Sequence, residues 1–146
     1  MSIEERLDIV ESKLAIADLV YDYARAIRHN ANEDIEGLFA PDAFFEVRGG
    51  HPSKPEYEVQ NRYNSAKEIG EFMMQGKGHP HPVPLVHNLM IEVDGDRASG
   101  LCAMEGQVYG SEHTIIGEYR DAFVRLDGKW KFASRVYTMY KAASSM

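Results

Sequence analysis

Two Asp-Gly dipeptides, Asp94-Gly95 and Asp127-Gly128, each separate a pair of runs rich in β-branched, aromatic and small apolar residues. Asp-Gly suits the two-residue turns of hairpins, which require positive φ and twist with the flanking strands. The runs cover 86–93, 97–109, 114–126 and 129–140, and a third joint falls at Gly110-Ser111. Four strands joined by short turns form an antiparallel meander, and such a sheet needs a covering layer on at least one face.

The first half of the chain supplies that layer. Over residues 3–30 the apolar positions recur at helical steps. Ile3, Leu7, Val10 and Leu14 form one row; Ile16, Val20, Tyr23 and Ile27 continue with the same steps, and Ala17, Tyr21, Ala24 and Arg28 lie beside them. Asp18, Asp22, Arg25 and His29 make a polar back, with Asp22 and Arg25 at pairing distance. A bend near 11–13 would divide this stretch into a short and a longer helix. A short helix over 32–39 ends at Ala40-Pro41, and 42–48 reads as a strand around Phe44 and Phe45. Residues 49–64 read as a loop with a short strand at 56–59. Ser65 and Glu68 form a capping box for a helix whose apolar face is Ile69, Phe72 and Met73. Helices followed by a meander describe an α+β fold, a curved antiparallel sheet wrapped around N-terminal helices as a cone whose mouth is a natural ligand pocket. The whole chain, 1–146, is expected to be one domain.

The net charge of −7 argues against a nucleic-acid partner, which needs a basic surface. No apolar run reaches membrane-span length, and the N-terminus lacks the order of a signal peptide, so a cytoplasmic location without membrane association is expected. The single cysteine, Cys102, lies in an apolar run and reads as a buried thiol. No glycine-rich phosphate loop and no Ser-His-Asp spacing stand out, and no cofactor is expected.

Several stretches resemble the SnoaL-like, scytalone-dehydratase-like branch of the nuclear-transport-factor-2-like superfamily. They are IADLVYDYAR at 16–25, LFAPDA at 38–43, NLMIEVDGDRA at 88–98, GEYRD at 117–121 and RLDGKWKF at 125–132. The resemblance implies a cystatin-like α+β barrel, acid–base chemistry on a ring-containing small molecule, and a homo-oligomer, dimer or trimer. It also implies an Asp near the end of the long helix and a His at the start of a strand, the His removing a proton and the Asp orienting it. Arg28 and Pro84 occupy those two positions here, and neither can do that work. Tyr23 matches a helical tyrosine of the family.

The candidates for chemistry follow from these two readings. Strand alternation groups Leu85, His87, Leu89, Ile91 and Val93 on an inward face, so His87 is either a substitute base or a structural histidine. Asn88, on the opposite parity, is a candidate substrate contact. Arg28 is either an anion clamp inside the cone or a surface residue at the helix C-terminus. Tyr119 and Asp121 share parity with Gly117 and Phe123. Tyr119 and Tyr23 could hydrogen-bond a substrate oxygen; Asp121 is either a general base or the partner of Arg28, Lys131 or Arg135. The run His79-Pro-His-Pro-Val-Pro84 cannot be a central strand, because alternate prolines remove donors from one side. His79, His81 and His87 together could bind a metal, but proline spacing alone accounts for the run.

The expectation is a small cofactor-independent lyase or isomerase. His87, Asp121 and Tyr23 would be catalytic, and Arg28, Tyr119 and Asn88 would bind substrate. The alternative is a non-catalytic small-molecule-binding protein of the same fold.

Overall fold

The computed structural model describes residues 1–54 and 56–140. Helix α1 (Ile3–Arg28) runs unbroken, capped by the Ser2 side chain, which accepts from the Glu5 amide. The bend expected near 11–13 is absent: no proline or glycine interrupts this stretch, and Arg125 grips it there through Asp8 and Ser12. Two single 3₁₀ turns, Asn32–Asp34 and Glu36–Leu38, replace the expected short helix. Helix α2 (Ala66–Gly76) starts at its capping residue as the motif requires, with Ser65 accepting from the Glu68 amide and Glu68 accepting from the Asn64 amide.

Six strands form one curved, unclosed sheet: β1 (Phe39–Gly50), β2 (Glu58–Tyr63), β3 (Pro82–Asp94), β4 (Arg97–Val108), β5 (Thr114–Leu126) and β6 (Lys129–Tyr140). Their spatial order is β2-β1-β6-β5-β4-β3. The meander β3–β6 is antiparallel throughout, whereas β1 inserts beside β6 in parallel. Strand β3 lies at one end of the sheet. An edge strand tolerates Pro82 and Pro84, whose missing amides interrupt no ladder between two neighbours. The β5–β6 hairpin turns on Asp127 and Gly128, both at positive φ. The β3–β4 hairpin turns one residue later than its dipeptide, on Gly95 and Asp96, with positive φ at Gly95.

The inner face of the sheet packs on α1. Ile16, Leu19, Val20 and Tyr23 of the helix meet Phe39, Phe45, Met104, Phe123 and Phe132 of the strands in one apolar cluster. Here β5 and β6 come so close that a Cβ on Gly117 would lie 2.1 Å from the Thr138 carbonyl oxygen. Among the described residues no helix is long and apolar enough to cross a membrane.

Two bulges change which side chains enter the cone. The ladder between β3 and β4 slips between His87 and Met90, where Asn88 takes φ 54°. Before the slip Pro84 and Val86 turn inward; after it Leu89, Ile91 and Val93 do. Leu85 and His87 are therefore exposed, contrary to the alternation in the sequence. A second slip on β6 leaves Ala133 unpaired between Phe132 and Ser134. It turns Arg135 inward, where strict alternation from Trp130 and Phe132 would have pointed it outward.

Gly117→Ala should destabilise the fold by about 1–3 kcal/mol or more, because the obstructing atom is backbone. Gly37→Ala, with open space around its Cβ, should change stability little. Urea denaturation of both variants measures the contrast.

Candidate functional site

Tyr23 on α1, Tyr119 on β5 and Tyr137 on β6 meet beneath α2. Tyr119 and Tyr137 are cross-strand partners with ring centroids 5.4 Å apart, and Tyr23 stands edge-on to Tyr119 at 5.9 Å. The Tyr23 hydroxyl approaches the Met73 sulfur of α2 at 3.9 Å. Below the rings lies a buried ion pair. Arg135 donates from Nε to Asp121 Oδ1 at 2.8 Å and from Nη2 to Oδ2 at 3.2 Å. Its guanidinium stacks 3.6 Å from the Tyr119 centroid and 4.4 Å from that of Tyr23, a cation–π arrangement. Asp121 is thus bound to one of the three cations that its sequence position allowed.

Burial dominates the electrostatics. It pushes the Tyr23 hydroxyl up to about 12, opposed by the Arg135 charge, and Tyr137 also up to about 12. Tyr119 is raised well above the phenol value, again by burial first. Burial likewise raises the Asp121 carboxyl, against the pull of Arg135. All three phenols are therefore hydrogen-bond donors at neutral pH. Cys102, on β4 opposite Tyr119, is buried and its thiol is pushed up to about 11, which makes it a poor nucleophile.

Above the tyrosines opens a cavity of about 380 Å³ with a mostly apolar wall. Ile27, Phe45, Val47, Phe72, Met73 and Met104 line it, and Asn32, Asn61, Gln75 and His81 add polar groups. Two residues of its lining each carry a buried polar atom with no partner among the described residues, Asn32 Oδ1 and the Tyr137 hydroxyl; Arg135 Nη1 is a third such atom, behind the rings. Asn32 is held in place by its other amide atom, Nδ2, which donates to the Met73 carbonyl at 2.9 Å. His81 stands between this cavity and an adjoining surface groove. Its Nδ1 lies 2.6 Å from the His79 carbonyl oxygen, which can only accept, so Nδ1 carries hydrogen. Its Nε2 lies 3.4 Å from the Ile27 carbonyl oxygen.

Of the six residues singled out in the sequence, Tyr23, Tyr119 and Asp121 come together, with Asp121 behind the rings and outside the cavity lining. The other three lie elsewhere. His87 and Asn88 are exposed at the β3 bulge, which displaces His87 from the inward face that alternation assigned it. Arg28 is exposed at the end of α1 and borders the outer grooves, because Tyr23 and Ile27 take the face of the helix that enters the cone. Pro84 does line the cavity. Among the described residues no three His, Cys, Asp or Glu side chains gather as metal ligands would, so His79, His81 and His87 form no cluster. Asp22 and Arg25 pair on the surface at 2.8 Å.

Sequence reading missed Asn32, His81 as a cavity residue, Arg135 as the floor of the site, and Tyr137. The Tyr119–Tyr137 pairing was within reach, since counting back from the Asp127-Gly128 turn aligns the two strands to within the bulge. The inward turn of Arg135 was not, because nothing local marks Ala133 as the extra residue.

A long N-terminal helix packed on a curved, unclosed six-stranded sheet is the cystatin-like fold of nuclear-transport-factor-2-like proteins. The SnoaL-like domain family matches residues 8–136, and the chain belongs to that family. An uncharacterised protein of Mycobacterium tuberculosis is 28% identical over 137 residues, covering 88% of this chain and 86% of its own length. Two structures from Novosphingobium aromaticivorans share the fold. One is an NTF2-like protein with a cystatin-like fold, with TM-score 0.74, 17% identity and coverage of 94% of this chain and 87% of the other. The second, provisionally assigned as a scytalone dehydratase, has TM-score 0.67, 20% identity and coverage of 89% and 85%.

Two outcomes test this geometry. Asp121→Ala leaves Arg135 charged and unpaired in the core and should cost about 3–5 kcal/mol, whereas Asp121→Leu combined with Arg135→Met should recover much of that loss. Denaturant titration of the single and double variants distinguishes them. The tyrosines set an alkaline limit. Their folded values lie above the unfolded value of 10.0, so their contribution is complete below pH 10 and disappears as pH rises toward about 12. Melting temperature should fall across that window, and less steeply in Tyr137→Phe.

Proposed function

We propose that the protein is a cofactor-independent enzyme that carries out acid–base chemistry, of dehydratase or isomerase type, on a ring-containing small molecule bearing an oxygen substituent. The observation that carries this reading is the apolar cavity with two unpartnered buried polar atoms, Asn32 Oδ1 and the Tyr137 hydroxyl. A buried polar group without a partner costs about 1–3 kcal/mol. In this reading a ligand turns an oxygen toward Tyr137 and a donor toward Asn32, whose side chains rotate to meet it, and its ring packs against Phe45, Phe72 and Met104.

The tyrosines suit the chemistry. They stay protonated at neutral pH, and the Arg135 charge lies beneath Tyr119 and Tyr23. Donors in that setting stabilise negative charge developing on a substrate oxygen. The proton acceptor in this reading is His81. Its ring stands at the cavity mouth, and a proton held on Nε2 faces the Ile27 carbonyl oxygen, which can accept it. Asp121 is occupied by Arg135 and serves to position it. The finding that a protein assigned provisionally as a scytalone dehydratase has the same fold supports the reaction class.

A cyclic ketone, 2-tetralone, tests the proposal. The protein should accelerate exchange of its acidic C–H for deuterium in D₂O, followed by NMR. His81→Ala should lower that rate by about 10²–10⁴, and Tyr137→Phe should lower it while the fold is retained. Saturable binding without exchange would instead support a non-catalytic binding protein, the reading favoured by Arg28 and Pro84 at the two positions where the resemblance implies a proton-transfer pair.

A further inference from the structure

The outward face of α1 is apolar in a strict repeat. Ile3, Leu7, Val10, Leu14, Ala17 and Tyr21 follow at steps of four, three, four, three and four residues. Exposure is 80% at Ile3, 53% at Leu7, 54% at Val10, 65% at Leu14 and 50% at Tyr21. The domain takes the other side of the helix, through Ile9, Ser12, Ile16, Leu19 and Tyr23. A helix needs only that inner stripe to pack on its own sheet. A second apolar seam, with steps that alternate between four and three residues, is what lets one helix face another along its length. This seam extends about 27 Å at the usual rise per residue.

The charges beside the seam select the occupant and its direction. Glu4, Glu11 and Asp18 follow the seam on one flank, and Arg6 and Lys13 precede it on the other. None of these five is in an ion pair among the described residues. When two copies of α1 lie parallel and in register, Arg6 faces Glu11 of the second copy and Lys13 faces its Asp18, twice over by symmetry. When they lie antiparallel, acidic flank meets acidic flank and basic meets basic. We infer that two copies of this chain associate through a parallel, in-register pairing of their α1 helices, with the cones projecting to opposite sides. The seam lies on the face of α1 away from the cavity, so this association is independent of what the cavity binds.

Light scattering on the full chain should give about 33 kDa, twice the 16.5 kDa of one chain. Leu7→Glu combined with Leu14→Glu should yield the single-chain mass with an unchanged circular dichroism spectrum. Ile116→Glu, on the exposed outer face of the sheet, should leave the dimer intact. Arg6→Glu with Lys13→Glu should weaken association about tenfold, and mixing with a Glu11→Lys, Asp18→Lys chain should restore it as a heterodimer. Leu14→Cys should cross-link to itself on oxidation, since parallel register brings the two Leu14 positions together and Cys102 is buried. A wild-type chain that stays at single mass overturns the proposal, as does a dimer lost through Ile116→Glu but not through the α1 pair. A dimer in which Leu14→Cys fails to cross-link overturns the parallel register.

Discussion

The inner structure depends on one ion pair. Arg135 and Asp121 face each other across β5 and β6, fully enclosed, with the guanidinium pressed between the rings of Tyr119, Tyr23 and Phe132. Two charges in such a place are tolerable only because they pair with each other and the aromatic faces supply further negative potential. The pair sets the depth of the cavity: the cone is filled below the tyrosines and open above them. It also explains why Asp121 is ill placed as a base. Its carboxylate lone pairs point at Arg135, away from the ligand space.

The cavity inherits its chemistry from that floor. Phenols held over a buried cation remain protonated; the Tyr137 hydroxyl among them has no partner, and neither has the Asn32 amide oxygen. The family resemblance implies a helical aspartate and a strand histidine as a proton-transfer pair. Here Pro84 keeps one of those positions inside the cone with no acid–base group, and Arg28 has left it for the surface. His81, three residues before Pro84, reaches the same cavity from the extended segment that leads into β3. Its ring is held at the mouth by the His79 and Ile27 carbonyl oxygens.

Helix α1 has two apolar faces, and they serve two tasks. The face toward the sheet ends at Tyr23 and Ile27, in the site. The face toward solvent carries opposite charges on its two flanks. Arg125 ties the first turns of the helix to the β3–β4 turn through Asp8 and Asp96, so the outward seam is presented on a fixed support.

Much of this was legible in the residues alone. Asp127-Gly128 determined a hairpin because only a few residue types accept positive φ at consecutive positions. Ser65 with Glu68 determined a helix start, and the parity of Gly117, Tyr119, Asp121 and Phe123 determined an inward face that holds without interruption. The family resemblance and the fold rest on such local rules. What tertiary structure decided lies beyond two single-residue slips. One at Asn88 sent His87 outward, and one at Ala133 brought Arg135 inward. A slip of one residue reverses every side chain beyond it, and its cause is the curvature needed to wrap the sheet around α1, which depends on contacts far apart in the chain. For the same reason Asn32 and His81, on segments with no regular period, acquired their places only when α1, α2 and β3 closed around a common space.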